Sequence, residues 1–199
     1  MTAPIPSKLT GVVRVRPRAI STRRFQLDHA GRHFWHPIAA RSRIEVELES
    51  PALRWSGPAY FDWNAGGAPL EQDFVEWDWC RAPMAGRTAI LYHAERRDGS
   101  MQSLALRVGD DGSVTEFPVP PPVNLPKTLW RIRRPTRSED GHAHVVKTLE
   151  DTPFYSRSVI ETKLLGERAT AVHESLDLDR FAHPSMYAML PFKVPRTLG

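Results

Sequence analysis

Ile44-Glu45-Val46-Glu47-Leu48-Glu49 alternates apolar and acidic side chains with a strict period of two, the pattern of a strand with one face toward a core and the other toward water. The same period recurs in residues 9–16, 88–92, 104–108, 129–133, 159–163 and 169–176. Arg97-Asp98-Gly99-Ser100, Asp110-Asp111-Gly112-Ser113 and Gly166 fall between such runs, where hairpins reverse. Strands spaced this closely predict an all-β antiparallel meander. A long meander hides its edges by closing into an up-and-down β-barrel or by folding over as a strongly curved sheet. Residues 117–126 contain five prolines and read as a loop or edge crossing. One short helix is expected near residues 177–190, capped by Asp177 or Asp179 and interrupted by Pro184.

The 199 residues read as a single domain, 1–199, of globular composition, 41% hydrophobic and 25% charged. The 18 prolines against 12 glycines argue against a helical bundle. The single Cys80 excludes an intramolecular disulfide and a Cys-based zinc cluster, and fits a reducing compartment. Residues 1–43 hold nine Lys or Arg against Asp28 alone, which leaves 18 basic and 22 acidic residues in the remainder. Such a basic stretch suits a solvated face or an anionic membrane surface, and nucleic acid is not the reading taken. No run approaches the ~18 apolar residues that would span a bilayer, so a soluble or peripheral protein is expected.

Nine of the 18 Phe, Trp and Tyr residues lie between Phe34 and Trp79, with five of the six tryptophans. A core needs aromatics, yet polar residues are woven among these. In Arg32-His33-Phe34-Trp35-His36-Pro37, His33 and Trp35 are two apart and share a strand face. In Gly57-Pro58-Ala59-Tyr60-Phe61-Asp62-Trp63-Asn64, Tyr60, Asp62 and Asn64 share one face, with Phe61 and Trp63 on the other. If both inner faces meet, an imidazole, a phenol, a carboxyl group and an indole converge in an aromatic cavity. Serine-elbow, phosphate-loop and dinucleotide-glycine motifs are absent. Acid chemistry remains: an apolar pocket favours the protonated carboxyl group, and aromatic faces stabilise a cation formed by its proton. No metal is expected, because the spacing of His29, His33 and His36 splits them across strand faces. Asp78 is expected to hold a turn, Glu71 and Asp73 to lie on a solvated surface, and Cys80 to be a small buried hydrophobe.

The strings His33-Phe34-Trp35-His36-Pro37-Ile38-Ala39, Arg54-Trp55-Ser56-Gly57 through Asn64, Pro69-Leu70-Glu71, Trp77-Asp78-Trp79-Cys80-Arg81-Ala82, His173-Glu174-Ser175-Leu176-Asp177-Leu178-Asp179-Arg180-Phe181 and Leu190-Pro191-Phe192-Lys193-Val194-Pro195-Arg196 together resemble the carotenoid 1,2-hydratase (hydroxyneurosporene synthase) family. The resemblance implies a lipocalin-like (calycin) β-barrel. It also implies a hydro-lyase that adds water to the terminal double bond of acyclic carotenoids such as neurosporene and lycopene, without a cofactor. The family's acid falls on Asp62, its associated tyrosine on Tyr60, and its His-x-Trp pair on His33 and Trp35. Under that reading Asp62 protonates the alkene, Trp35 faces the cation, His33 takes a proton from water and Tyr60 orients water or carboxyl group. Trp55, Trp63, Asn64 and Trp77 are the expected substrate-binding residues. Family members are longer, and this chain resembles their C-terminal, catalytic half; a truncated product, a split enzyme with an N-terminal half on a separate partner chain, and a shorter but complete variant all stand open. A membrane-dissolved substrate implies a cytoplasmic protein peripheral to the inner (intracytoplasmic) membrane, touching lipid with basic residues such as Arg131, Arg133, Arg134 and Arg137. A non-catalytic lipocalin-like binder of a long apolar ligand, and a terpenoid cyclase or isomerase using the same acid, remain the alternatives.

Overall fold

The structure, a computed structural model, describes residues 8–190. Its strands follow in chain order as β1 (Thr10–Pro17), β2 (Phe25–Gln26), β3 (His33–Ser50), β4 (Leu53–Gly66), β5 (Phe74–Met84), β6 (Arg87–Arg96) and β7 (Met101–Gly109). There follow β8 (Val114–Glu116), β9 (Pro122–Leu125), β10 (Arg134–Arg137), β11 (Ala143–Asp151), β12 (Tyr155–Leu164) and β13 (Glu167–Asp177). Helix α1 (Leu70–Asp73) joins β4 to β5, and α2 (Leu178–Phe181) and α3 (Pro184–Met189) follow β13.

All pairings among the described residues are antiparallel. One sheet has the order β11-β12-β13-β5-β6-β7-β8. In a second, β3 pairs with β4 along one edge and with β1 and β2 along the other, and β9 and β10 form a separate ribbon. The all-β antiparallel reading therefore holds, with open sheets: no pairing among the described residues closes a barrel.

Three local expectations change. Pro122–Leu125, in the stretch expected to be a loop or edge crossing, form β9 and pair with β10. Residues 129–133 form a turn instead of a strand, because the Arg131 N–H donates to the Thr128 carbonyl at 2.9 Å and the Ile132 N–H donates to the Thr128 hydroxyl at 3.1 Å. Their apparent alternation reflects one buried anchor, Ile132, among exposed neighbours. The expected C-terminal helix is two: Asp177 caps α2 by accepting from the Arg180 N–H at 3.0 Å, and Pro184 opens α3, where a missing N–H costs no hydrogen bond. After Leu190, the string ending at Arg196 lies outside the described residues.

Alternation along β5 divides the core in two. Trp77 and Trp79 face the β3–β4 sheet and pack with Phe25, Trp35, Ile90 and Tyr92. Cys80 and Ala82 face the other way, with Leu91, Leu125, Ile160 and Leu164 beside the β9–β10 ribbon. Burying each large side chain contributes roughly 1.5–3 kcal/mol. The far half of the β1–β3–β4 sheet covers neither core. Its register places Val13, Val15, Leu53 and Trp55 on one face, each 40–57% exposed, and the ion pairs Arg14–Glu47 and Arg16–Glu45 on the other.

Candidate active site

Pro37 has no N–H to give the β3–β4 ladder, and the register slips around it: His36 pairs with Trp63, whereas Ala39 pairs with Phe61. Pro37 and Ile38 thus stand opposite Asp62 alone, a bulge of the kind that re-aims side chains beside functional sites. Along β4 the alternation is unbroken. Tyr60, Asp62 and Asn64 turn toward the seven-stranded sheet, while Phe61 and Trp63 point outward, 49% and 46% exposed.

Asp62 receives two hydrogen bonds on one oxygen. The Trp35 Nε1–H donates to Oδ2 at 2.8 Å, and the Tyr60 hydroxyl donates to the same atom at 3.2 Å. Among the described residues nothing donates to Oδ1. Trp35 is 0% exposed, packed between Phe25 at 5.7 Å and Tyr92 at 5.1 Å between ring centroids. Tyr60 rests on Trp79 at 5.1 Å, with the Arg81 guanidinium 5.2 Å from its ring centroid. Arg81 is fixed in turn by donating from Nε to the Ala40 carbonyl at 3.2 Å. Burial, reinforced by the Asp62 charge, raises the Tyr60 pKa well above that of an ordinary phenol, so its proton stays available to Asp62.

These side chains line a cleft of about 380 Å³. β4 supplies Tyr60, Asp62 and Asn64; β5 and β6 supply Trp77, Trp79 and Tyr92. Leu70 of α1 adds an apolar contact, and Arg157 of β12 and Glu174 of β13 complete the lining. Trp77 stacks on Tyr92 with centroids 6.0 Å apart and planes 21° from parallel. The cleft therefore combines a doubly held carboxyl group with aromatic faces, the pairing that acid-driven formation of a carbocation requires.

Four of the expected residues, Asp62, Tyr60, Asn64 and Trp77, line this cleft together. Trp35 acts on it through its bond to Asp62. Trp55 and Trp63 lie on the outward face of β4. His33 also stands apart from the cleft: it is 1% exposed, its Nε2 lies 2.6 Å from Asp73 Oδ2, and its ring meets Phe74 edge-on. A Cβ on Gly66, across the ladder, would come within 2.6 Å of the His33 Nδ1, so the strand approaches the ring closely only because glycine is there. Asp73 is accordingly not on a solvated surface; α1 turns its carboxylate back onto His33, and Arg32 pairs with it too.

The spacing Trp77-x-Trp79 signals that Trp79 shares the face of Trp77. No comparable signal places Tyr92, Arg157 and Glu174 at the cleft, because they arrive through pairings between distant strands. Asp78 holds no turn. It is buried in mid-strand on the opposite face of β5, where the Ser175 hydroxyl donates to its Oδ1 and burial raises its pKa well above the carboxylate range. Burial pushes the neighbouring His173 down to about 4 and the Cys80 thiol up to about 12. No group of three or more His, Cys, Asp or Glu arranged to hold a metal occurs among the described residues.

Comparison with known proteins places these observations. A family model, carotenoid hydratase CrtC, matches residues 1–199. The chain is 57% identical to an acyclic carotenoid 1,2-hydratase of Thiocapsa roseopersicina over 100% of its own length and 50% of that protein's. It is 50% identical to one of Rubrivivax gelatinosus over 97% of itself and 48% of the relative, and 41% identical to one of Rhodobacter capsulatus over 96% and 69%. The chain thus spans about half the length of the first two. Among solved structures, AttH of Nitrosomonas europaea (TM-score 0.51, 13% identity, 86% of this chain and 62% of that one) shares the lipocalin-like fold. So does CghA, solved with Sch210972 (TM-score 0.53, 11% identity, 85% and 62%).

Proposed function

The chain belongs to the carotenoid hydratase family, and we propose that it carries the acid site that adds water across the terminal C1=C2 bond of an acyclic carotenoid such as lycopene or neurosporene. The observation that carries this reading is the convergence of Trp35 and Tyr60 on one oxygen of Asp62 inside an aromatic cleft. With Oδ2 held by both donors, Oδ1 is the atom that delivers the proton. The alkene π pair forms the new C2–H bond, and positive charge develops at the tertiary C1. The faces of Trp77 and Trp79, rather than the buried Trp35, lie where they can stabilise it. Water then bonds to C1 and loses a proton, leaving a tertiary alcohol and no need of a cofactor. Asn64 and Trp77 contact the substrate. Trp55 and Trp63, on the opposite face of β4, do not line the cleft, and His33, latched to Asp73, sets the start of β3 and hence Trp35.

The half-length match and the uncovered Val13–Val15–Leu53–Trp55 face favour a companion half that packs against the far end of the β1–β3–β4 sheet. Because the substrate dissolves in lipid, we place the protein on the cytoplasmic side of the inner membrane, bound peripherally.

Expression in lycopene-accumulating cells, with and without a companion half from a longer relative, tests the proposal by pigment chromatography and mass. A product heavier by one water supports it. Pigment bound but unaltered points to a binder, and an altered pigment of unchanged mass points to a cyclase or isomerase; either outcome overturns it.

A further inference from the structure

Hydration needs two proton transfers, one onto carbon and one away from water, and Asp62 accounts for the first. Glu174 is the other carboxylate lining the cleft, on β13, whereas Asp62 is on β4. It lies directly across the β12–β13 ladder from Arg157, whose Nε donates to Glu174 Oε1 at 2.8 Å. Arg157 is also 3.7 Å from Glu150, so the guanidinium is braced from two sides. The Glu174 side chain is only 18% exposed, and the residues flanking it on the same face of β13 are the apolar Val172 and Leu176. The Arg157 side chain is 39% exposed, so the pair borders both the cleft and solvent, the source of the attacking water. His33, the alternative base, is bonded to Asp73 and does not line the cleft.

We propose that Glu174 is the general base that takes the proton from the water attacking C1, a role that rests on the hydratase reading above. A lone pair of the water forms the C1–O bond. One O–H bond then breaks, its electrons stay on the oxygen that becomes the alcohol, and its proton passes to the Glu174 carboxylate. Asp62, having given its proton to C2, is now the carboxylate, and transfer of a proton from Glu174 to Asp62 through water restores both groups. Nothing is oxidised or reduced. The oxonium formed by water attack is a strong acid, so a carboxylate paired with arginine is base enough to receive its proton.

The two carboxylates separate in heavy water. The full chain, with its companion half where that is needed for turnover, is supplied with lycopene in D2O. Alcohol formation and deuterium at C2 of recovered lycopene are both measured. Deuterium enters when Asp62 delivers a deuteron to C2 and the cation returns to alkene by losing the C2 proton. Glu174→Gln is expected to lower alcohol formation by about 10²-fold or more while deuterium still enters, and Glu174→Asp to restore part of the alcohol. Asp62→Asn is expected to lose both. Unchanged alcohol formation in Glu174→Gln overturns the assignment, and loss of exchange together with alcohol in that variant assigns the Arg157–Glu174 pair to structure. Continued hydration by Asp62→Asn instead overturns the hydratase mechanism itself, so the two failures are distinguishable.

Discussion

Trp35 Nε1 lies 2.8 Å from Oδ2 of Asp62, a bond across the β3–β4 ladder that a fully buried indole makes with the carboxyl group of an open cleft. Trp35→Phe keeps a ring between Phe25 and Tyr92 and removes the donor. The bond strengthens as Asp62 gives up its proton and becomes charged, and a hydrogen bond to a charged group contributes about 1.5–3 kcal/mol, so hydration should fall roughly 10- to 100-fold. Steady-state turnover beside a thermal melt checks this. Full activity in a folded variant contradicts it.

Tyr60 shares that oxygen at 3.2 Å, and its raised pKa keeps the phenol a donor across the working range. Tyr60→Phe should cost about tenfold in turnover. Because both donors act on one atom, the loss in Trp35→Phe/Tyr60→Phe should differ from the product of the single losses. A double-mutant cycle in turnover reads this coupling, and simple multiplication would remove it.

The His33–Asp73 contact has a different signature. Asp73→Ala leaves the His33 Nε2 buried without its partner and should reduce stability by about 1–3 kcal/mol in urea unfolding. Activity per folded molecule should fall less than in the Trp35 variant. A variant as stable as the parent yet without turnover would return His33 to the chemistry.

His173 carries a pH dependence whose sign is fixed by burial. Its pKa is depressed to about 4 in the folded chain, against about 6.5 unfolded. Above about pH 6.5 both states hold the neutral ring. As pH falls through that window only the unfolded chain gains a proton, and stability is lost until the folded ring titrates near 4. The Nε2 contact with the Pro135 carbonyl at 2.9 Å is a donation from the neutral ring, in keeping with this. Asp78 works in the opposite sense, since its raised pKa makes the folded chain bind a proton that the unfolded one releases. The contrast with His173→Gln isolates the histidine. The parent should lose about 3 kcal/mol more than the variant between pH 7 and pH 4, measured by urea unfolding. Parallel curves would contradict it.

The fold was legible where one face of a strand is buried and the other is not, as in residues 159–163 of β12; residues 44–49 do form a strand, within β3, but their apolar face covers neither core. It failed at residues 129–133, where a Thr128-centred turn mimics period two by burying a single isoleucine. Pairing between distant strands is not written in local pattern. Tyr60, Asp62 and Asn64 were therefore recognisable as one face, while Tyr92, Arg157 and Glu174 came to the same cleft unannounced. His33 and Trp35 do share a face, yet a shared face is not a shared partner: one binds Asp73 and the other Asp62. Asp73 departs from the solvated surface its sequence position suggests because a four-residue helix reverses it onto β3, an event that periodicity does not record.

Asp62 is the proposed proton donor. Asp62→Asn keeps the shape of the side chain and acceptors for Trp35 and Tyr60 but cannot donate a carboxyl proton. The most direct measurement is hydrated carotenoid per folded protein in lycopene-accumulating cells, for this variant beside the parent chain. A loss of about 10²- to 10⁴-fold with an unchanged melting temperature is the expected result. Hydration at the parent rate would contradict the assignment.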